Sequence, residues 1–126
     1  MLIFTGSRLG VNISEGSPAW TYHKKFRSNL YFMQDEPKNQ CKYWKEYYDG
    51  GEAIWYSNNF WIIGDAKDVG SETCVIKAPG SSDQWPTDLE GKWLYWNPDN
   101  KEWIKAGNDI KVEFKFSLPY NKQSIE

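Results

Sequence analysis

Ala53-Ile54-Trp55-Tyr56-Ser57-Asn58-Asn59-Phe60-Trp61-Ile62-Ile63-Gly64 reads as two β-strands joined by a two-residue turn. The flanking runs are rich in β-branched and aromatic residues, and Asn-Asn tolerates the positive φ angles of a tight hairpin. A two-residue loop fixes the register. It sets Tyr56 opposite Trp61 and Ile54 opposite Ile63 on one face, with Trp55 opposite Ile62 and Ser57 opposite Phe60 on the other. Both faces are apolar, so the hairpin is either central and covered on both sides or offers rings to a ligand.

The same period-two reading extends outward. In Ile110 to Phe116, apolar Ile110, Val112, Phe114 and Phe116 alternate with Lys111, Glu113 and Lys115, the pattern of a half-buried strand ended by Pro119. Lys92 to Trp96 and Glu102 to Lys105 flank the turn-forming stretch Asn97-Pro98-Asp99-Asn100-Lys101 and form a second hairpin. Counting outward from a loop at 97–101 places Tyr95 opposite Trp103 and Trp93 opposite Lys105. The result is an aromatic stripe of Trp93, Tyr95 and Trp103 beside Trp61, and these four rings are the candidate ligand-binding residues.

Tyr43 to Tyr48 is expected to pair with Glu52 to Ser57 through Asp49-Gly50-Gly51, and Asn29 to Met33 and Thr73 to Ala78 to be short strands. Gly6 to Pro18 and Pro79 to Pro86 read as long loops, and no helix longer than a turn is expected. The predicted fold is all-β: an antiparallel meander of hairpins forming a small sandwich or barrel-like domain over residues 1–126. Gly16, Ala19, Tyr22 and Phe26 are echoed at an offset of 34 by Gly50, Ala53, Tyr56 and Phe60. That echo fits a degenerate repeat, about 16–48 and 50–82, and equally fits coincidence.

Composition sets limits on function. The 126 residues carry eight Trp, eight Tyr and six Phe, so the core must be built largely from rings. A formal net charge of −2 argues against a dedicated nucleic-acid binder, which needs a cationic surplus. The charge is uneven, with a cationic excess before residue 49 and an acidic excess after it. The run His23-Lys24-Lys25-Phe26-Arg27 reads as a solvated turn. No stretch is long and apolar enough to insert in a membrane, and Met1 to Thr5 is too short for a signal peptide.

Chemistry-bearing constellations are sparse. His23 is the single histidine, and no nucleophile motif accompanies it. Asp65 and Asp68, with Glu72, sit in one Gly-bounded loop as weak metal candidates, but Lys67 interrupts them and calcium-loop spacing is missing. No motif calls for a cofactor. Cys41 and Cys74 are compatible with one disulfide, which would contribute roughly 3–4 kcal/mol, or with two free thiols. Asn12-Ile13-Ser14 is an N-glycosylation acceptor. These last two features lean towards an extracellular setting.

Gly51 to Tyr56, Phe60 to Gly64, Pro86, Gly91-Lys92-Trp93, Trp96, Trp103 and Ile110 together resemble an uncharacterised Trp-rich β module of extracellular and modular eukaryotic proteins. In that module a Gly-x-Pro-Val-Tyr segment precedes a Trp-[IV]-Ile-Gly strand and a Trp-x-x-Trp hairpin; Gly16 to Trp20 is similar to the same opening. The likeness spans about residues 16–112, and the Lys38 to Tyr48 region departs from it. It implies an all-β fold and a display or binding role, with no catalytic residues. The sequence thus supports a non-catalytic module with an aromatic surface for a glycan or protein. Two alternatives are a purely structural or protein-interaction domain of a larger protein, and a carbohydrate hydrolase using two carboxyl groups about 5 to 9 Å apart.

Overall fold

A computed structural model describes residues 8–46 and 51–115. Among them are nine strands: β1 (Arg8–Ile13), β2 (Ser28–Met33), β3 (Trp44–Glu46), β4 (Glu52–Ser57), β5 (Phe60–Asp65), β6 (Ile76–Pro79), β7 (Leu94–Asn97), β8 (Glu102–Lys105) and β9 (Ile110–Lys115). All pair antiparallel in one sheet, in the order β8-β7-β6-β5-β4-β3-β2-β1-β9. The hairpin meander is therefore present, as a single curled half-barrel.

Curling follows from chain length. Laid flat, nine strands would separate β8 from β9 by about 38 Å, yet only residues 106–109 join them, and that link reaches less than roughly 19 Å. The two ends of the sheet must therefore turn towards each other. The concave side is filled by Trp44, Trp61, Trp93, Tyr31 and a set of aliphatic residues, all buried. The chain between β1 and β2 and the turn Pro86–Asp88, packed on β9, help to close it.

The β4–β5 hairpin has the register its turn dictates, from Glu52 opposite Asp65 to Ser57 opposite Phe60, with Asn58 and Asn59 at φ 48° and 73°. Both its faces are covered. Ile54, Trp61 and Ile63 join the concave core, while Ala53, Trp55 and Ile62 join a smaller cluster on the convex side. The loop after β5 covers that cluster, and the Trp55 indole N–H donates to the Ser71 carbonyl at 2.8 Å.

Three expectations are corrected. The stretch Gly6 to Pro18 is not all loop, because Arg8–Ile13 is β1, paired between β2 and β9. Its alternation of Leu9, Val11 and Ile13 is masked by Gly10 and polar neighbours. A helix, α1 (Pro18–His23), follows, started by Ser17, whose hydroxyl accepts from the Trp20 N–H, with Pro18 as its first residue. The β7–β8 register is shifted by one: Trp96 faces Trp103, Tyr95 faces Ile104 and Leu94 faces Lys105. Pairing continues to Asn97 and Glu102, with Asn97 Oδ1 accepting from the Asp99 and Asn100 amides and Lys101 at φ 56°. Of the two states open to the cysteines, the structure has free thiols: Cys41 lies in the concave core, whereas Cys74 packs on the convex cluster.

Strand bounds differ slightly elsewhere. Predicted Thr73 to Ala78 is Ile76–Pro79, and predicted Tyr43 to Tyr48 is seen as Trp44–Glu46, with 47–50 outside the described residues. In β9, Ile110 and Val112 are buried and Phe114 is 37% exposed; Phe116 is outside the described residues. The two echoed segments adopt different structures, a helix and short 3-10 turn for one and a β-hairpin for the other.

Candidate functional site

The predicted stripe divides between the two faces of the sheet. Trp61 and Trp93 are fully buried and Tyr95 is 4% exposed, so these three rings belong to the concave core. Trp103 faces outward. The one-residue shift in the β7–β8 register turns it to the convex side together with Trp96, since successive side chains alternate faces.

On that convex side β6, β7 and β8 carry a patch the sequence reading did not assemble. Trp96 and Trp103 meet edge to face, with ring centres 5.5 Å apart. The Lys77 ammonium lies 4.3 Å from the Trp103 ring centre and 4.4 Å from that of Phe60. Leu94 sits between Lys77 and Lys105 across the strands. All of these except Lys105, which is exposed, are half-buried. A neighbouring groove of about 430 Å³ is lined by Pro79, Gly91, Lys92, Leu94 and Lys105.

This face is open because the loop that follows β5 covers β4 and β5 and ends there. Phe60 lies at the boundary, packed against the convex cluster while also meeting Lys77. Lys77 faces Ile62 across β5–β6, on the side opposite Trp61, a pairing the sequence reading did not contain. Identifying the patch needed the correct β7–β8 register.

The other candidates fall elsewhere. Asp65 forms an ion pair with Lys25 at 2.8 Å. Asp68 and Asp65 line a small cavity of about 90 Å³ with Cys74 and Phe26, and among the described residues no group of three acidic, His or Cys side chains is arranged to hold a metal. Burial raises both thiols, Cys74 to about 11, so neither is a ready thiolate. Asn12 is exposed on β1.

His23 is structural. Its Nε2–H donates to the Trp96 carbonyl at 2.7 Å, tying α1 to β7, and its ring packs with those of Phe26 and Tyr95. Burial lowers its pKa, with the Trp96 carbonyl acting in the opposite direction. Glu46 and Glu52, on adjacent strands, form a hydrogen-bonded carboxyl pair, and burial together with Glu46 pushes Glu52 up to about 7. Neither lines the described cavities. Among the described residues no helix is long and apolar enough to cross a membrane. Compared with known proteins, the chain matches no family model, no curated protein and no solved structure.

Proposed function

We propose that this chain is a non-catalytic binding module that captures an extended, acidic protein segment on the convex face of β6–β8. The observation that carries the reading is the half-exposed Trp96–Trp103 pair with Lys77 laid over the Trp103 ring, beside the apolar groove at Leu94 and Pro79. Aromatic rings supply large contact area at low cost in side-chain entropy. Lys77, Lys92 and Lys105 surround them with positive charge, which selects a partner of opposite sign.

A glycan fits this face less well. A sugar stacked on a ring also needs amide or carboxylate groups to take its hydroxyls, and here the rings are flanked by Lys77, Leu94, Lys105 and Pro79. The display or binding role implied by the Trp-rich module resemblance agrees with the protein reading.

A displayed peptide library selected on the immobilised chain tests it. The expected binders carry Asp or Glu beside an apolar anchor, and Trp103→Ala or Lys77→Ala weakens them about tenfold or more without changing the far-ultraviolet spectrum. Failure to enrich acidic peptides, or binding indifferent to both substitutions, overturns the proposal.

A further inference from the structure

A second concavity lies on the opposite flank of the sheet and is lined by different chemistry. It has a volume of about 510 Å³, within the usual range of small-ligand sites. Trp20, Lys24 and Arg27 come from α1 and the turn after it, Asn12 from β1, Asn29 from β2, and Glu113 and Lys115 from β9.

Two of the three cations here, Lys24 and Arg27, are not neutralised. The Arg27 guanidinium lies over the Trp20 ring at 5.2 Å, which fixes its plane. Among the described residues no carboxylate lies within 4 Å of Arg27 or Lys24. Glu113 is the only carboxylate among the lining residues, and it pairs with Lys115 at 3.5 Å. Arg27 caps the short turn that Lys24 begins, its backbone N–H donating to the Lys24 carbonyl at 3.1 Å, and both residues line the groove. An anion there meets both positive charges and takes the guanidinium's paired N–H groups.

The floor makes room for these groups. A Cβ on Gly10 would come within 2.5 Å of Lys115 Cε and 2.6 Å of Asn29 Oδ1, so the bare backbone of β1 lets both side chains cross it. Beside the charges, Asn12 and Asn29 offer amides that both donate and accept, the property that hydroxyl-rich ligands require.

We propose that this groove binds an anionic saccharide, its sulfate or carboxylate held by Arg27 and Lys24 and its hydroxyls by Asn12 and Asn29. This site is independent of the convex patch, which shares no residue with it. The run His23 to Arg27, read from sequence as a solvated turn, divides its labour: His23 and Phe26 point into the core, Lys25 pairs with Asp65, and Lys24 and Arg27 face the groove.

Calorimetric titration of the full chain tests this, using a sulfated disaccharide, a uronate-bearing disaccharide, their uncharged counterparts, sodium sulfate and a short single-stranded oligonucleotide. The expected result is saturable binding of a charged disaccharide that weakens with added salt, accompanied by shifts of the Asn12 and Asn29 side-chain amide resonances. Arg27→Gln and Lys24→Gln should each lower affinity about tenfold or more. Gly10→Ala, which displaces Lys115 and Asn29, serves as a second probe that removes no charge and should lower affinity several-fold in a folded protein. Equal binding of the uncharged sugars, sulfate as tight as the disaccharide, tighter binding of the oligonucleotide, no binding of either charged disaccharide, or affinity unchanged in all three variants overturns the proposal.

Discussion

At the scale of single residues, the buried indoles differ in how their polar edge is treated. Trp61 donates its N–H to the Ser81 carbonyl at 3.1 Å, whereas the Trp93 N–H meets no acceptor among the described residues. A buried donor without a partner costs about 1–3 kcal/mol, and a satisfied one contributes about 0.5–1.5 kcal/mol. Both rings are wholly buried, so replacement by Phe removes similar volume from each. Trp61→Phe is therefore expected to destabilise by roughly 1 kcal/mol more than Trp93→Phe, as urea midpoints at constant slope would show. An equal or reversed cost would mean that the Trp93 N–H is satisfied. Asn58 and Asn59 show how far one residue type can be read locally: their tolerance of positive φ was legible, and the turn has the register it implies. Gly10, inside a stretch read as loop, shows the opposite. Its role is set by side chains from β2 and β9 that no local pattern displays.

At the scale of elements, the pairing of β3 with β4 brings Glu46 and Glu52 together. Glu52 sits half-buried beside Glu46 and opposite Asp65, with Lys25 the nearby cation, and its carboxyl is raised from the ordinary range to about 7. A carboxyl raised on folding favours the protonated folded state. Its contribution is complete below pH about 4.5 and is lost as the pH climbs through about 7. Because the group is substantially exposed, the loss is about 1 kcal/mol rather than the full shift. Wild-type stability should therefore fall between pH 5 and pH 8, and Glu52→Gln, which keeps a donor for Glu46 but cannot ionise, should flatten that fall. A slope unchanged in the variant would assign the titration elsewhere. His23 acts in the other direction, since a pKa lowered by burial gives stability that is lost as the pH falls. The β7–β8 hairpin shows where element-level reading stops. The turn residues were recognised, but a loop one residue shorter than expected moved Trp103 from the face of Trp93 and Tyr95 to that of Trp96, and Ile104 the other way.

At the scale of the molecule, one sheet with two apolar faces holds two unequal clusters, and the convex one covers only part of its side. Substitution of a core ring and of a surface ring should therefore diverge. Trp61→Ala or Trp93→Ala removes about 3–5 kcal/mol, a large share of a typical domain's 5–15 kcal/mol, and should leave the chain largely unfolded at modest urea. Trp103→Ala should cost about 1 kcal/mol or less beyond its contact with Lys77 and preserve a cooperative transition. Comparable losses for all three would make the convex patch part of the core and remove it as a binding face.

Alternation at period two and the backbone demands of Asn, Gly and Pro are local properties, so the chain alone fixed its β class, most of its strands and the register across Asn58-Asn59. Which face each ring occupies depends on loop length counted to the residue. The curl depends on residues 106–109 joining the two ends of the sheet. The groove at Arg27 depends on α1, β1, β2 and β9, separated by up to about a hundred residues of chain, arriving together. Those three outcomes belong to tertiary structure, because each is set by distances between segments that carry no record of one another in their own composition.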